Sequence, residues 1–268
     1  MSVQLLTGAG VTSGVLWASA DVVVDGQDVS NVVLRLQPGT TVSGKVVYEG
    51  VAQPPADLTT RVSLLTPPSG TSALELATSV LTSQTTAIAA ADGTFAVQSV
   101  IPGKYRLTVG SLGQVVAGTR VGATAWTLKS AMLNGRDVSD EAFVLRPNED
   151  VTGLVVTMTD RPTELSGVVT DRSGRPAPGF PIMVFSTDRA YWTAGSRRVQ
   201  LARPASDGAY RLTGLPAGEY FVCVLTDLDR SQMYDSSFLE SLVSGSFKIT
   251  LADGEKKTQP LKLASGGT

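Results

Sequence analysis

The chain has 268 residues, 42% of them hydrophobic and 17% charged, which is long enough for two ordinary folded domains. Its 22 basic and 24 acidic residues are interspersed, so we expect neither a nucleic-acid backbone nor an anionic membrane surface as a partner. Histidine is absent and cysteine occurs once, at Cys223, which excludes Ser-His-Asp and Cys-His catalysis, imidazole or thiolate zinc sites, and an intramolecular disulfide.

The N-terminal part of the chain carries no targeting or membrane signal. Residues 1–34 contain no Lys or Arg, so the basic region of a secretory signal peptide is missing, and no apolar run approaches the length that spans a bilayer. We expect no membrane insertion. The protein is then either cytoplasmic or a mature or excised part of an extracellular or cell-surface bacterial protein. Short repeats rich in Val, Thr, Ser and Gly favour the second of these.

Short stretches of alternating apolar and polar residues fill most of the chain, and Gly, Pro, Asn and Asp separate them. This pattern predicts an all-β protein of tandem antiparallel β-sandwiches. The predicted strands are residues 42–48, 61–65, 94–100, 104–109, 126–133 and 151–158, then 165–170, 181–186, 199–202, 210–213, 219–225, 247–251 and 259–263. Residues 71–81 are ambiguous between helix and strand.

One segment has helical periodicity. Phe238, Leu239, Leu242 and Val243 fall on one face of a helix over residues 235–243, with Ser236 or Ser237 as the N-cap. The outward positions of the strand over residues 219–225 are apolar, and without a covering element they would form an exposed hydrophobic patch. We therefore expect the helix to cover that strand and to bury Cys223.

Two turn motifs occur twice, about one domain length apart. The first is Asp-Gly before an aromatic strand, and the second is Pro-Gly or Pro-Ala-Gly before a tyrosine; glycine supplies the positive φ that such turns need. The motif residues are Asp92, Gly93, Phe95, Pro102, Gly103 and Tyr105 in the first copy, and Asp207, Gly208, Tyr210, Pro216, Gly218 and Tyr220 in the second. A Ser-Gly-x-Val strand precedes each copy, at Ser43 and at Ser166. This repetition predicts units over residues 41–160 and 161–268.

The closing part of the unit occurs a third time, near the N-terminus. Residues 17–30 match residues 126–139, and residues 28–36 match residues 150–158. We interpret residues 1–40 as an incomplete closing segment of a preceding repeat. Unpaired strand edges must be covered, so residues 15–36 are expected to be β-paired, either within their own chain or with a neighbouring one.

At these motifs the chain resembles the carboxypeptidase regulatory-like domain family. The second unit carries the whole pattern, from Gly167-Val168-Val169 through Asp171 and Gly174 to the Asp207 and Pro216 turns, whereas the first unit replaces the early turn by a Pro/Thr/Ser-rich insertion. The resemblance implies a transthyretin-like β-sandwich of bacterial secreted proteins, normally a non-catalytic companion of enzymes, receptors and adhesins.

A loop in the second unit combines aromatic and basic side chains, namely Tyr191, Trp192, Arg197 and Arg198. Such a cluster could stack a sugar ring and bind its hydroxyl groups. The alternative is that the rings cap the end of the sandwich and the arginines are solvated or contact a neighbour.

Acidic turns close the repeats, and Asp137, Asp140 and Asp150 are candidate ligands for a calcium ion between units. The alternative is that these residues serve only the backbone of their turns. Asp227, Asp229, Asp235 and Glu240 could supply a carboxylate pair for glycoside hydrolysis, but nothing in their spacing fixes a geometry.

These observations favour a protein that is not an enzyme and has no cofactor other than possible calcium. We expect a structural, spacer or adhesive array that contacts neighbouring repeats or copies of itself, with strand sharing as one mode of assembly. The competing hypothesis is a polysaccharide-binding module centred on Tyr191 and Trp192.

Overall fold

The structure is a computed structural model that describes residues 16–18, 20, 32–54, 58–67, 85–112, 114–116, 119–121, 126–226 and 232–263. Strands up to residue 160 are β1 (Leu16–Trp17), β2 (Gln37–Pro38), β3 (Thr40–Glu49), β4 (Thr59–Leu65), β5 (Thr85–Ile88), β6 (Thr94–Val100), β7 (Gly103–Leu112), β8 (Gln114–Val116), β9 (Thr119–Val121), β10 (Thr127–Leu133), β11 (Arg136–Asp137), β12 (Ala142–Leu145) and β13 (Val151–Thr159). The later elements are β14 (Glu164–Thr170), β15 (Ile182–Ser186), a 3₁₀ turn (Arg189–Tyr191), β16 (Val199–Ala202), β17 (Ala209–Thr213), β18 (Gly218–Val224), helix α1 (Ser236–Val243), β19 (Phe247–Leu251), β20 (Lys256–Thr258) and β21 (Leu261–Lys262).

The strands of unit one form a β-sandwich that begins with β3 at Thr40. One sheet has the strand order β11-β10-β13-β3-β6, and the facing sheet has the order β12-β7-β4-β5. Alternate residues of the two sheets point inward and form one core, which includes Val42, Val62, Leu64, Leu154 and Val156. The predicted all-β fold is confirmed, and the predicted strands of this unit lie within β3, β4, β6, β7, β10 and β13, with Trp126 just before β10.

Unit two, residues 161–268, repeats the architecture in a smaller form. Its sheets have the orders β17-β14-β20, with β21 also on β14, and β16-β15-β18-β19. The core between them includes Leu165, Ile182, Tyr220 and Leu251. The hairpin β10-β11 of unit one has no counterpart in the described part of unit two, where α1 occupies the equivalent stretch of chain.

The first and last strands of each unit run parallel, a feature that the predicted antiparallel sandwich lacked. In unit one β13 pairs with β3, and in unit two β20 and β21 pair with β14. The other pairings are antiparallel. A parallel pair needs a long crossover connection, and here the rest of the sandwich provides it.

The repeated motifs are explained by backbone geometry that recurs in both units. Gly93 and Gly208 have φ values of 84° and 79°, in turns where a side chain would strike the carbonyl of Val46 or Val169. In each unit a tyrosine hydroxyl donates back across the second turn, from Tyr105 to the carbonyl of Ile101 at 2.8 Å and from Tyr220 to that of Pro216 at 2.6 Å. Because these bonds fix the entry into β7 and β18, the motif residues are structural in both copies.

The N-terminal segment pairs with its own chain over a short length. Leu16–Trp17 lies antiparallel to Gln37–Pro38, and the indole Nε1 of Trp17 donates to the carbonyl of Pro38 at 3.1 Å. Residues 32–36 lie outside any strand and are exposed. The expected pairing of residues 15–36 therefore holds only for residues 16 and 17 of the described part; residues 15, 19 and 21–31 lie outside it, as do residues 71–81.

Helix α1 packs on the outer face of unit two, as predicted. Leu239 is fully buried with Cys223, Leu225 and Phe185 in a second, smaller core on that face of the β15-β18 sheet. The N-cap is Asp235 and not one of the serines, because its carboxylate accepts the backbone N–H of Phe238 at 2.7 Å. No helix among the described residues is long and apolar enough to cross a membrane.

This outer core makes Cys223 an unreactive thiol. Burial raises its pKa to about 11, and since only the thiolate is the nucleophile, about one thiol in a thousand is ionised at pH 8. We expect Cys223 to react with an aromatic disulfide reagent at least about 100-fold more slowly than an exposed cysteine. The control is Ser237→Cys in a Cys223→Ser background, since Ser237 is exposed on α1. Equal rates for the two thiols would mean that α1 does not cover the sheet.

Candidate functional site at the junction between the sandwiches

The two units are joined by a short linker that is bonded at both ends. Residues 160–163 separate β13 from β14. The Asp160 carboxylate accepts the backbone N–H groups of Val51 and Ala52 at 3.1 and 2.7 Å, which ties the start of the linker to unit one. At its end, the carbonyl of Thr163 accepts the N–H of Gly214 in unit two at 2.9 Å. Little freedom is left in the connection.

A buried carboxylate of unit one meets two guanidinium groups of unit two beside this linker. The side chain of Asp140 is 5% exposed. Its Oδ1 accepts from Nε of Arg197 at 2.9 Å, and its Oδ2 accepts from Nε of Arg198 at 3.2 Å. Arg197 also donates to the carbonyl of Leu128 at 2.6 Å and to the hydroxyl of Ser139 at 2.8 Å. Several charge-assisted hydrogen bonds on one carboxylate fix its position relative to the two arginines, and so hold Asp140 of unit one against unit two.

Arg198 connects this carboxylate to the rest of unit two. Its Nη1 donates to the carbonyl of Ala217 at 3.0 Å, and its guanidinium carbon lies 4.5 Å from the centre of the Tyr191 ring. A cation over an aromatic face is attracted by the ring quadrupole. Two of the residues predicted to bind sugar, Tyr191 and Arg198, are thus engaged with each other and with the junction.

Trp192 lies on the other side of the same loop, inside the outer core of unit two. It is 4% exposed, its Nε1 donates to the carbonyl of Ser186 at 2.8 Å, and its ring packs edge-on against Phe185 at 5.6 Å. A ring buried in this way does not offer a face for stacking on a sugar. The structure therefore places Trp192 in the outer core of unit two, and sugar binding by this loop stays an untested prediction.

A second ionic contact spans the junction at its surface. Nζ of Lys129, on β10, lies 2.7 Å from a carboxylate oxygen of Glu49 in unit one and 2.7 Å from one of Asp253 in unit two. The hydrogen bonds that Lys129 donates to Asp253 and, secondly, to Glu49 raise its pKa. All three side chains are partly exposed, so solvent screens their charges and the contact adds little to the stability of the junction.

The three aspartates predicted to bind calcium have separate partners. Asp137 accepts the N–H of Ser139 at 2.9 Å, Asp150 accepts the N–H of Thr41 at 2.7 Å, and Asp140 faces the two arginines. The described residues contain no group of three acidic or other metal-ligating side chains that could hold an ion. The structure does not bring this predicted site together, and a calcium requirement remains untested.

The four carboxylates considered for glycoside hydrolysis are not brought into one site either. Asp235 caps α1, and Glu240 accepts from Arg189 at 2.6 Å on the surface. Asp227 and Asp229 lie outside the described residues.

Sequence reasoning missed one junction residue, Arg106 of β7, which reaches across from unit one. Its Nη2 donates to the hydroxyl of Thr193 at 3.0 Å, while its Nε and Nη1 are buried and have no hydrogen-bond partner among the described residues. Burial lowers the pKa of Arg106, and the charge of Asp140 opposes this effect. Two arginines thus bind the buried Asp140 carboxylate, and Arg106 is influenced by its charge without a hydrogen bond to it.

We expect Arg106→Met to leave the free energy of unfolding unchanged or to raise it by up to about 2 kcal/mol, because methionine fills similar space without a buried unpaired charge. Urea unfolding would measure the change. Arg197→Met is the matched control and should be destabilising, since each guanidinium nitrogen of Arg197 has an acceptor. A loss above about 1 kcal/mol in Arg106→Met would mean that its guanidinium is well paired in solution.

Comparison with solved structures finds distant likenesses to β-sandwich proteins. The Bacillus anthracis TIE protein is 10% identical, with 86% of this chain and 37% of that protein covered and a TM-score of 0.25. The minor pilin of Streptococcus agalactiae is 11% identical, with 86% and 99% covered and a TM-score of 0.29. A putative carbohydrate binding protein from Pseudomonas aeruginosa is 11% identical, with 38% and 88% covered and a TM-score of 0.23. This chain thus spans little more than a third of the TIE protein.

No known family profile matches the chain, and no curated protein matches it in sequence.

Proposed function

We propose that the chain is a non-catalytic, rigid spacer that extends a surface protein by stacking sandwiches end to end. The observation that carries this proposal is the parallel pairing of the first and last strands in each unit. In unit one the register runs from Val42 opposite Val151 to Glu49 opposite Thr159, so both strands run toward the same end of the sandwich. The chain enters at one end and leaves at the other.

Unit two continues in the same sense. Four residues separate its first strand from β13, and its register runs from Glu164 opposite Lys256 to Thr170 opposite Lys262. Each unit therefore adds its own length to the chain. An antiparallel first and last pair would instead return the chain to its starting end and favour folding back.

The contacts at the junction favour a rigid spacer and not two sandwiches that reorient independently. A linker without bonds to either unit would allow the sandwiches to reorient, whereas here Asp140, Arg197 and Arg198 form a buried ionic contact beside a short, bonded linker. A buried ion pair contributes specificity of geometry more than net stability. That property suits a protein whose task is to hold two units in one orientation.

The resemblance to carboxypeptidase regulatory-like domains is part of this proposal, and the recurring turn geometry around Tyr105 and Tyr220 supports it. The proposed setting is extracellular or at a cell surface, with neighbouring repeats or further copies of the chain as partners.

Negative-stain electron microscopy with small-angle X-ray scattering tests the spacer. The longest strands have nine or ten residues in unit one and seven in unit two. At about 3.3 Å per residue, two stacked sandwiches should form a particle about 55 Å long with a narrow distribution of inter-unit angles. In Asp140→Ala that distribution should broaden, while the exposed pair of Arg146 and Glu149 provides the control Glu149→Gln. Side-by-side units, or a broad distribution already in the unchanged protein, would contradict the proposal.

Polysaccharide binding is measured on the same samples. Saturable binding that is lost in Tyr191→Ala would favour a binding module, and Tyr191 is the better probe because Trp192 belongs to a core.

A further inference from the structure

The segment that precedes unit one exposes a regular apolar row. Val32, Leu34 and Leu36 alternate along residues 32–36, and their exposed fractions are 47%, 38% and 50%. Alternation with a period of two is the pattern of a strand with one buried face. A strand pattern without a covering sheet indicates that its partner lies elsewhere.

The sequence of this segment matches the closing strand of unit one residue by residue. When Asp28-Val29-Ser30 is aligned with Asp150-Val151-Thr152, the exposed row falls on inward positions of β13. Val32 takes the place of Leu154, Leu34 that of Val156 and Leu36 that of Met158. These three residues of β13 are 0%, 0% and 1% exposed.

The closing strand of unit two gives the same register independently. Leu34-Arg35-Leu36 matches Leu261-Lys262-Leu263, in which Leu261 is buried and Lys262 is exposed. Val156 lies opposite Val46, and Leu261 lies opposite Val169. Val46 and Val169 are themselves equivalent, since each follows the motif glycine by two residues.

Two further positions of the segment fit the special features of β13. Asp150 accepts the backbone N–H of Thr41 at the start of the parallel pair, and the segment also has an aspartate there, Asp28. Gly153 has φ +76° in the irregular part of the pairing, and the segment has Asn31 at this position. Asparagine is the non-glycine residue that adopts this conformation most readily.

Neither unit of this chain offers a place for another closing strand in its described part. β3 already lies between β13 and β6, and β14 lies between β17 and the pair β20 and β21. In addition, residue 36 is followed by β3 after a gap as short as the one between β13 and β14. The complementary strand therefore belongs to a sandwich that stands before unit one in the array.

We propose that residues 32–36 belong to the last strand of this third sandwich. They lie parallel to the first strand of that sandwich, with Val32, Leu34 and Leu36 in its core. This inference rests on the proposed spacer function and names what is stacked on the N-terminal end of unit one.

The test transfers the segment into unit one of the full chain. The in-register chimera carries Thr152→Ser, Gly153→Asn, Leu154→Val, Val156→Leu, Thr157→Arg and Met158→Leu. The core volume is nearly conserved, so the melting temperature of unit one should fall by less than about 8 °C. A slipped chimera with the sequence of residues 27–35 at positions 150–158 places asparagine, valine and arginine inward, and unit one should lose its cooperative transition.

A third variant keeps Gly153 and carries only the inward substitutions Leu154→Val, Val156→Leu and Met158→Leu. It measures the effect of the core residues on stability apart from the effect of replacing the glycine with positive φ. If both in-register variants melt as low as the slipped one, the proposal is overturned. That result would leave the spacer function untouched, because the length of the unchanged particle is measured separately.

Discussion

Replacing Asp140 by asparagine should lower the free energy of unfolding of the joined sandwiches by about 3–5 kcal/mol. Asparagine has the same shape but no charge, so Arg197 and Arg198 would remain largely buried without their counter-ion. Arg106 would lose the charge of Asp140, which favours its ionised form. Removal of one partner from a buried ion pair costs more than the pair contributes, because the remaining charge stays desolvated.

Differential scanning calorimetry would measure this effect, and the transitions of the two units should separate as their coupling is lost. Glu149→Gln is the control, because its contact with Arg146 is 3.5 Å long and exposed, and it should change stability by less than about 0.5 kcal/mol. A loss below about 1 kcal/mol in Asp140→Asn would show that the junction is solvated and does not hold the units together.

The strands and turns of both sandwiches could be predicted because their signals are local. An Asp-Gly turn requires positive φ at glycine wherever it occurs, and Gly93 and Gly208 both adopt it. Alternation likewise assigns each strand one buried face, as in Phe95 and Val97 of β6. The packing of α1 over Cys223 could be predicted for a related reason, since an apolar outer face of a sheet must be buried by another element.

The direction of the closing strands could not be predicted from such signals. Alternation is the same in a parallel and an antiparallel pair, so β13 and β20 carry no mark of their orientation. The end-to-end course of the chain, which supports the proposed function, depends on that orientation alone.

The contact between the units could not be predicted from the sequence, because its charged side chains come from two different units. Asp140 was considered as a calcium ligand and Arg197 as a sugar ligand, yet the two groups bind each other. Both residues lie in connections between strands, where spacing along the sequence does not fix distances in space. The same holds for Trp192, whose loop position suits an exposed ring as well as the buried one observed.

The glycine of the Ser-Gly-x-Val motif has a reason that only the parallel pairing reveals. A side chain at Gly44 would strike the carbonyl of Leu154 in β13, and one at Gly167 would strike the carbonyl of Gln259 beside β20. The first strand of each unit must therefore have no side chain at this position, because the backbone of the paired closing strand approaches it closely there.

Gly167→Ala should accordingly lower the stability of unit two by about 3 kcal/mol or more, which corresponds to a fall of more than about 10 °C in its melting temperature. The new methyl group would overlap backbone and also lie 2.8 Å from Cε1 of Tyr210, so no flexible side chain can simply move aside. Gly179→Ala is the matched control in the same unit, because a Cβ there meets open space, and it should stay within about 0.5 kcal/mol of the unchanged protein. Circular dichroism melting of both variants decides the point: if they melt together, the closing strand does not press on Gly167, and the parallel closure of unit two would be in error.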